Sequence, residues 1–295
     1  MILVFGSVNL DLIFDMETLP APGETRLARA MRTEPGGKGA NQAVAAAKDG
    51  ASVVFFGAVG RDSFAGPARA GLETAGVDLR GVVSTAAATG VASIVTDVAG
   101  RNSIAVAAGA NLAARQKAVP DALLGEKTVL LVQMECDVAE TARLIERASN
   151  AGARVILNLA PAGELPLAAL NRCWLIVVNE QEAEALAAQV GGPSDAASIS
   201  SRLGAGVLRT LGEAGSEACV DGATHRAVAH RVSAVDTTAA GDCFVGVLAA
   251  GIDRGLDLPA AMRRASVAAA LACTKRGSQG SLPAAGDTDA ALAGA

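Results

Sequence analysis

Short apolar segments rich in aliphatic residues alternate with alanine-rich segments from one end of the chain to the other. The apolar segments predict buried strands at residues 2–6, 52–60, 128–134, 153–159, 174–179 and 206–212. The alanine-rich segments predict helices at residues 40–50, 139–152 and 180–192. Continuous apolar strands joined by crossover helices are typical of a parallel sheet that is covered on both faces. We therefore expect an α/β fold with a central, mostly parallel sheet and helices on both faces.

Two regions interrupt this alternation with short strands that have no helices of their own. They predict lid strands at approximately residues 11–17, 24–34, 90–98 and 102–108, separated by Gly or Pro turns. A small antiparallel patch needs its apolar face covered. We therefore expect a small β-sheet lid inserted into one domain that spans residues 1–295, and a homodimer that forms through this lid.

The composition limits the partners that this chain can bind. Its residues are 51% hydrophobic, which supplies a large core and disfavours disorder. Aromatic residues make up only 2%, tyrosine is absent and the net charge is -5, so we expect no nucleic-acid partner. Backbone amides can nevertheless hold a small phosphorylated ligand without a basic surface.

Membrane insertion and several classes of site are also disfavoured. The sequence has no run of about twenty apolar residues and no basic N-terminal region, so we expect a cytoplasmic protein with no membrane partner. The five cysteines are scattered without a C-x-x-C pair, which predicts reduced thiols. The two histidines, His225 and His230, support neither a Ser-His-Asp hydrolase nor a three-histidine metal site.

The stretch VDTTAAGDCF, residues 235–244, places small residues at the start of a predicted helix. Ala239, Ala240 and Gly241 would let a phosphoryl group approach the unpaired amides of the first helical turn. This arrangement predicts an anion hole, with Asp242 beside it as a general base that accepts a hydroxyl proton. The alternative is that Asp242 only complements the helix dipole.

The stretch PGGKGANQA, residues 35–43, predicts a glycine-rich turn that leads into a helix. It is not a P-loop, because Gly39 follows Lys38 where Ser or Thr is required. It is not a dinucleotide fingerprint, because Gln42 replaces the last glycine. Its glycines allow close approach of the backbone to a ligand, and Lys38 with Asn41 would suit a polyhydroxylated one. A plain structural turn is the alternative.

Ligands of an open parallel sheet bind beyond the carboxyl ends of its strands. The polar residues expected at that edge are Asn9, Asp11, Glu135, Asn158, Asn179 and Thr210. Together they predict a broad polar cleft, although any one of them could be a helix cap. The loop TLGEAG, residues 210–215, could lie along a nucleotide or form the turn of a hairpin. Asp236 and Thr238 could offer oxygen atoms to a monovalent cation or form a turn.

Two of these motifs resemble the signatures of the ribokinase-like (PfkB) family of carbohydrate kinases. PGGKGANQAVAAA is similar to the first signature, and VDTTAAGDCFVGVL is similar to the second, more specific one. The resemblance covers almost the whole chain, from GSVNLDLI to TKRGSQGSLP. It implies ATP-dependent phosphorylation of D-ribose at the 5-hydroxyl, which yields D-ribose 5-phosphate and ADP, with Mg²⁺ required and K⁺ activating.

The resemblance also implies roles for individual residues. The hydroxyls of the sugar would be held by Asn9, Asp11, Gly37, Lys38, Asn41 and Glu135. The catalytic group would be Asp242 as the base, with an anion hole formed by Ala239, Ala240 and Gly241. ATP and Mg²⁺ would be placed by Asn179, Glu182, Thr210, Gly212, Gly215, Gly241 and Ser266. The potassium ion would be held by Asp236, Thr238, Ala272, Gly277 and Ser281.

Three positions depart from the family pattern, and two alternative functions stay open. Arg209 is an unexpected charge directly before Thr210. Ser266 stands where related kinases usually carry Asn or His beside the adenine, and Gly280 replaces a common Pro near the potassium loop. The first alternative is another kinase of the same family, acting on deoxyribose, fructose, ketodeoxygluconate or adenosine. The second is a non-catalytic sugar-binding protein with the same fold.

Overall fold

Two β-sheets organise residues 1–294, the part of the chain that a computed structural model describes. The strands are β1 (Ile2–Phe5), β2 (Asn9–Met16), β3 (Ala30–Gly36), β4 (Val53–Gly60), β5 (Asp78–Thr85), β6 (Gly90–Asp97), β7 (Asn102–Ala107), β8 (Val129–Val132), β9 (Arg154–Asn158), β10 (Leu175–Val178), β11 (Gly206–Thr210), β12 (Ser216–Val220) and β13 (Ala223–Ala227). The helices are α1 (Lys38–Lys48), α2 (Ala65–Thr74), α3 (Val138–Asn150), α4 (Leu167–Leu170), α5 (Glu180–Val190), α6 (Ala196–Leu203), α7 (Ala240–Asp253), α8 (Leu258–Ala272) and α9 (Ala285–Ala293).

The large sheet has nine strands within these described residues, in the order β13-β12-β11-β10-β9-β8-β1-β4-β5. Neighbouring strands from β11 to β5 are parallel, whereas β12 pairs with β11 and β13 in antiparallel fashion. The predicted α/β class with a mostly parallel central sheet is confirmed. The carboxyl ends of the parallel strands meet at one edge, where ligands of such sheets bind.

Strand β1 shows why helices cover both faces of this sheet. Successive side chains of a strand point to opposite faces. Ile2 and Val4 join one core with residues of α1, α7 and α8. Leu3 and Phe5 join a second core with residues of α3, α5 and α6. A strand that is buried on both faces must be apolar at every position, as the sequence of β1 is.

The small sheet has the order β3-β2-β6-β7 and corresponds to the predicted lid. Strands β2 and β6 are parallel, and the two outer pairs are antiparallel. The strands β6 and β7 lie within one residue of their predicted bounds, and β2 begins two residues early, at Asn9. Strand β2 therefore runs directly from the edge of the large sheet into the lid.

The predicted lid strand at residues 24–34 is wrong over its first six residues, because β3 begins only at Ala30. Residues 24–29 are exposed and lie outside the strand. Glu24 closes a local turn instead, since its N–H donates to the Ala21 carbonyl at 2.9 Å and its carboxylate accepts from the Ala21 N–H at 3.0 Å. Prolines on both sides of Ala21 cannot donate to a strand ladder.

Within residues 1–294, every helix falls short of the combination of length and apolar character that a bilayer crossing requires.

The packing of α7 against α1 positions the polar residues at the edge of the sheet. Helix α7 is buried on all sides from Cys243 to Ile252, as expected for a helix that is apolar all round. At Gly246, an added Cβ would lie 2.4 Å from the Gln42 carbonyl oxygen and 2.7 Å from the Ala45 Cβ. Asp242 lies one turn earlier on the same face. The glycine therefore allows the backbone contact that brings Asp242 to the first turns of α1.

A buried ion cluster ties the end of α1 to α8 and α9. Asp49 is 1% exposed, and its carboxylate accepts from Arg264 Nε at 3.0 Å and from Arg264 Nη2 at 2.7 Å. Arg254 pairs with the same carboxylate. Arg264 Nη1 also pairs with Asp289 of α9. The cluster therefore fastens the last helix to the core on which the site is built.

We expect Asp49→Asn to lower the free energy of unfolding by about 3–5 kcal/mol, because it leaves the buried Arg264 guanidinium without its main counter-charge. Urea unfolding followed by circular dichroism measures this loss. The matched control is Asp289→Asn, which removes the exposed partner of the same arginine and should cost less than about 1 kcal/mol. Equal losses in the two variants would contradict the role given to Asp49.

Candidate active site

The start of α7 combines open space with unpaired amides. Ala239 adopts a left-handed conformation (φ 57°), which is rare for a residue other than glycine. Gly241 is exposed, and an added Cβ would meet no atom within 4 Å. Among residues 1–294, the amides of Ala239 and Gly241 donate to no other group, whereas that of Ala240 donates to the Thr237 carbonyl at 3.2 Å. The helix start can therefore accept an anion.

Asp242 lies in the first turn of α7 with 7% of its surface exposed. Asn41 Nδ2 donates to its Oδ2 at 3.0 Å, and Gln42 Nε2 donates to its Oδ1 at 3.0 Å. Each carboxylate oxygen has a second lone pair for another donor. The group is therefore held in place while it keeps the capacity to accept a proton, as a general base requires.

Lys38, the first residue of α1, lies among three carboxylates. The Asp242 carboxylate does most to raise the pKa of the Lys38 ammonium group, against the opposing effect of burial. Glu135 and Glu182 raise the same pKa further. Side chains that were predicted for the sugar, the base and the nucleotide therefore lie close enough to one ammonium group to raise its pKa.

The glycine-rich turn before α1 lies against the segment that follows β1. Gly37 has a φ of 91°, and an added Cβ would lie 2.9 Å from the Asn9 nitrogen and 3.0 Å from the Ser7 carbonyl oxygen. Glu135 ties the two segments together, because its Oε2 accepts from the Lys38 N–H at 2.9 Å and from the Ser7 hydroxyl. Close backbone packing is therefore enough to require a glycine at position 37, whether or not a ligand also approaches it.

Asp11 on β2 is a buried carboxyl group that lies against Gly36 of the neighbouring strand β3. Burial, followed by the negative charges of Glu135, Glu34 and Asp242, raises its pKa to about 7. Within the described residues, no hydrogen bond to its side chain contributes to this pKa. A largely buried carboxylate to which no described residue donates is available to accept hydrogen bonds from a ligand.

Asn9 lies beside Asp11 in the same strand and is 2% exposed. Its Oδ1 accepts from Asn111 Nδ2 at 2.7 Å, and Asn111 Oδ1 accepts from the Val8 N–H at 2.9 Å. Asn111 therefore fixes the orientation of the Asn9 amide, so that the Asn9 NH₂ group is the one left to donate.

Asn179 and Glu182 form a capping box at the start of α5. Asn179 Oδ1 accepts from the Glu182 N–H at 2.8 Å, and Glu182 Oε2 accepts from the Asn179 N–H at 2.8 Å. Burial raises the pKa of Glu182, which the Asn179 N–H and the Lys38 charge oppose. The two hydrogen bonds are those of an ordinary capping box. Glu182 also interacts electrostatically with Lys38, as Asp242 does.

The loop TLGEAG is the turn between the antiparallel strands β11 and β12. Thr210 donates from Oγ1 to the Val178 carbonyl at 3.4 Å, so it lies beside the end of β10. Gly215 has a φ of 95°, and an added Cβ would lie 2.1 Å from the Ala227 carbonyl oxygen. Gly212 has open space around it. The packing of the hairpin is therefore enough to require a glycine at position 215. At Gly212, by contrast, an added Cβ would meet no atom within 4 Å.

The residues predicted to hold a monovalent cation are partly joined. Asp236 Oδ1 accepts from the N–H and the hydroxyl of Thr238 at 2.9 and 2.6 Å, and Oδ2 accepts from the Gly277 N–H at 3.0 Å. Ala272 is the last residue of α8, shortly before this glycine. The Ser281 hydroxyl donates within its own loop at 2.8 Å. These contacts place three of the five predicted residues together.

Ser266, predicted beside the nucleotide, donates its hydroxyl to the Val228 carbonyl at 3.1 Å. This bond ties α8 to the segment that follows β13. Across residues 1–294, the structure brings no three His, Cys, Asp or Glu side chains into an arrangement that could hold a metal ion.

Sequence reasoning missed several residues that hold the predicted ones in place. They are Ser7, Gln42, Asn111, Gln133 and Gln279. Only Gln42 lies inside a motif, directly after Asn41, so its position could have drawn attention. Ser7 and Gln279 lie in GSVNLDLI and TKRGSQGSLP, which mark the two ends of the family resemblance, but the sequence assigned no role to either residue.

The chain belongs to the pfkB family of carbohydrate kinases, since residues 1–285 match the family described as pfkB family carbohydrate kinase. The resemblance found in the sequence is confirmed, and the protein is a sugar kinase.

Curated relatives and solved structures agree on this class. The ribokinase of Staphylococcus aureus (strain COL) is 33% identical over 293 residues, which are 96% of either chain. The deoxyribokinase of Salmonella typhimurium is 35% identical over 294 residues, 96% of this chain and 95% of the relative. A crystal structure of Thermotoga maritima ribokinase superposes with a TM-score of 0.92, 31% identity and 99% of both chains covered. The structure of Arabidopsis thaliana ribokinase complexed with ribose and ATP has a TM-score of 0.85, 29% identity and coverage of 99% and 98%.

The raised pKa of Asp11 predicts that this residue destabilises the free protein at neutral and alkaline pH. Its ordinary pKa is 3.8 and its folded pKa is about 7, so the folded protein binds more protons between these values. The free energy of unfolding therefore falls as pH rises from about 4 to 7. We expect Asp11→Asn to stabilise the ligand-free protein at pH 8 by on the order of 2–4 kcal/mol, and to have little effect at pH 4.

Urea unfolding at pH 4, 6 and 8 tests this prediction. The matched control is Asp15→Asn on the same face of β2. Burial raises the pKa of the half-exposed Asp15, but hydrogen bonds and charge from Arg32 more than offset this effect and lower that pKa. A loss of stability in Asp11→Asn at pH 8 would contradict the assignment of a carboxylate that burial and neighbouring negative charges destabilise.

Proposed function

We propose that the protein transfers the γ-phosphoryl group of ATP to the 5-hydroxyl of D-ribose and forms D-ribose 5-phosphate and ADP. One observation carries this proposal: the buried Asp242 carboxylate lies in the same helical turn as the Gly241 amide, which donates to no acceptor within residues 1–294. A base and an anion site are thus adjacent, as phosphoryl transfer to an alcohol requires. The ribokinases among the relatives, one of them complexed with ribose and ATP, support ribose and ATP as the substrates.

In the proposed reaction Asp242 accepts the proton of the 5-hydroxyl. The sugar oxygen forms a bond to the γ-phosphorus, and the bond from that phosphorus to the β,γ-bridging oxygen breaks. The electron pair of the broken bond stays on ADP, and the proton later passes from Asp242 to solvent. The amides of Ala239 and Gly241 stabilise the negative charge that develops on the phosphoryl oxygens.

The sugar would be held at the edge of the sheet and the base of the lid. Asp11 would accept from two hydroxyls, which satisfies a carboxylate that otherwise lacks donors. Lys38 would donate to a sugar oxygen from its position among carboxylates. The remaining proposed sugar ligands are Asn9, Gly37, Asn41 and Glu135.

ATP would extend from the start of α7 towards the ends of β10 and β11. Glu182 suits Mg²⁺, because this ion commonly uses one or two carboxylates together with water and phosphate oxygens. When bound, Mg²⁺ would neutralise charge on the phosphates. The further proposed nucleotide contacts are Asn179, Thr210, Gly212, Gly215 and Ser266.

A potassium site would lie behind the anion hole. Asp236, Thr238 and Gly277 already lie together, and carbonyl and carboxylate oxygens are the donors that replace the hydration shell of such a cation. The proposed set is completed by the Ala272 and Ser281 backbones. A bound cation would stabilise the segment that precedes Ala239.

We also propose that each chain forms a single domain, in which the lid covers the bound sugar. The lids of two chains would pack together and form a homodimer. Ile104 and Val106 of β7 are 54% and 52% exposed. The strand register places them on the same face of the sheet as Asp11. Burial of this face over the sugar and against a second copy would exclude water from the reaction.

The central test of this function is Asp242→Asn, which keeps the shape of the side chain but cannot act as a base. We expect kcat to fall by at least about 100-fold, while the Kd for D-ribose changes much less. A coupled assay of ADP release gives kcat, and calorimetric titration gives the Kd. Turnover close to that of the unaltered protein would show that Asp242 is not the base.

The same assay separates ribose from the second candidate substrate, deoxyribose, which the 35% identical deoxyribokinase favours. A panel of D-ribose, deoxyribose, fructose, ketodeoxygluconate and adenosine should give the highest kcat/KM with D-ribose. A higher value with deoxyribose would establish the second candidate. Absence of ADP release with every compound would indicate a sugar-binding protein without catalysis.

Gly241→Ala tests the anion hole without disturbing the fold. The added methyl group meets no protein atom within 4 Å, so stability should stay the same or rise by about 0.5–1 kcal/mol. It would occupy the space proposed for the phosphoryl group, so we expect kcat to fall by about 10- to 100-fold.

The matched control is Gly286→Ala. Gly286 is the second residue of α9, as Gly241 is of α7, and its added Cβ also meets no atom within 4 Å. The control should gain similar stability and keep full activity. Full activity in Gly241→Ala would place the phosphoryl group elsewhere.

A further inference from the structure

We propose that Gln42 and Gln279 are positioning residues for phosphoryl transfer, which act on Asp242 through a continuous chain of buried amides. This inference rests on the proposed function, since it assumes that Asp242 is the base. Neither glutamine belongs to the sets of residues assigned above to the sugar, the nucleotide or the cations.

One arm of the chain reaches Asp242 through Gln42. Gln42 Nε2 donates to Asp242 Oδ1 at 3.0 Å and to Asn158 Oδ1 at 2.9 Å. Gln133 Nε2 then donates to Gln42 Oε1 at 2.7 Å. Asn158 Nδ2 donates to the Val177 carbonyl at 3.2 Å, which anchors this arm to the sheet. Every polar atom of the Gln42 side chain is therefore used.

The other arm reaches Asp242 through Asn41. Asn41 Nδ2 donates to Asp242 Oδ2 at 3.0 Å, and Gln279 Nε2 donates to Asn41 Oδ1 at 3.0 Å. The backbone carbonyl of Gln279 accepts from Lys48 Nζ at 3.0 Å, so the loop that carries Gln279 is fastened to α1 as well. Gln279 therefore holds Asn41 in the orientation that serves Asp242.

The carboxylate dictates the direction of every hydrogen bond in both arms. An ionised carboxylate can only accept, so Asn41 and Gln42 must each present their NH₂ group to it. Their oxygens must then face outward, where only donors can satisfy them. Gln279 and Gln133 meet this requirement with their own NH₂ groups. Reversing either amide would set a donor against a donor.

The outer ends of the chain are not satisfied within the described residues. Gln133 Oε1 and Gln279 Oε1 are buried without a hydrogen-bond partner. The space next to them is filled by glycine backbone, because a Cβ added to Gly6 or Gly71 would lie 2.4 or 1.7 Å from these oxygens. Unsatisfied buried carbonyls cost stability. We infer that this loss of stability is offset in function, because the two arms hold the Asp242 carboxylate in one orientation at the reacting position.

The two glutamines differ in what they can affect. Gln42 is 0% exposed, so a sugar in the cleft cannot contact it and it acts only through its partners. Loss of its donor should lower kcat and leave KM for the sugar nearly unchanged. Gln279 acts through Asn41, a proposed sugar ligand, so its loss should raise KM and lower kcat together. A merely structural role would not separate kcat from KM in this way.

Gln42→Met tests the inference, since methionine keeps the length of the side chain and removes both hydrogen-bonding groups. We expect kcat with D-ribose to fall by about 10- to 100-fold, with KM changed less than about threefold. Added to Asp242→Asn, the same substitution should lower kcat no further, because Gln42 acts through the carboxylate. Gln279→Met should lower kcat and raise KM.

The matched control is Gln116→Met. Gln116 is 6% exposed and is hydrogen-bonded to Arg147 rather than to any member of this network, so the control removes a buried amide outside the network. It should keep kcat and KM unchanged. If Gln42→Met fails to fold, Gln133→Met replaces it. Within the described residues the Gln133 side chain hydrogen-bonds only to Gln42, so its loss should give a smaller fall in kcat in the same direction.

The outcomes separate the inference from the proposed function. An unaltered protein that phosphorylates D-ribose, together with a Gln42→Met variant as active as Gln116→Met, would overturn the inference and leave the function intact. An additive loss in the double variant with Asp242→Asn would overturn it as well. An unaltered protein that releases no ADP with any sugar of the panel would overturn the proposed function, and the positioning role with it.

Discussion

The contact between α1 and α7 at Gly246 is the constraint on which the site depends. Because this glycine has no side chain, the backbone of α1 passes directly against α7, and a Cβ would lie 2.4 Å from the Gln42 carbonyl oxygen. Asp242, one turn before it, then comes within 3.0 Å of donors on Asn41 and Gln42. The same turn leaves the Gly241 amide without an acceptor among the described residues, and it leaves open space where a Cβ of residue 241 would lie. Helix packing therefore places the base and the anion hole together.

Electrostatics at the edge of the sheet follow from that arrangement. Lys38 begins α1, so the packing that positions Asp242 also brings the ammonium group among carboxylates. Asp11 completes the cleft at the cost of a carboxyl group whose pKa is raised to about 7. A protein selected only for stability would not retain such a group, or the buried unsatisfied oxygens of Gln133 and Gln279. The destabilised groups cluster around the position where the chemistry is proposed.

Local patterns in the sequence predicted the fold and the motifs, but not their connections. The apolar run of β1 predicts a buried strand, and the small residues before Asp242 predict an open helix start, because each of these features depends only on residues close together in the sequence. The lid strand predicted from residue 24 was wrong over its first six residues. Glu24 forms a local turn with Ala21, which lies between two prolines, and β3 begins only at Ala30. Gln279 lies 238 residues from Asn41, and only the tertiary structure brings the two together.

A crystal structure with D-ribose and an unreactive ATP analogue tests the central claim most directly. The account predicts one Asp242 oxygen at about 2.6–3.2 Å from the 5-hydroxyl, with the terminal phosphate against the amides of Ala239 and Gly241. It also predicts that Asn41 and Gln42 keep their hydrogen bonds to the same carboxylate. A complex in which Asp242 lies beyond hydrogen-bond reach of every sugar hydroxyl, or in which the terminal phosphate binds away from α7, would contradict it.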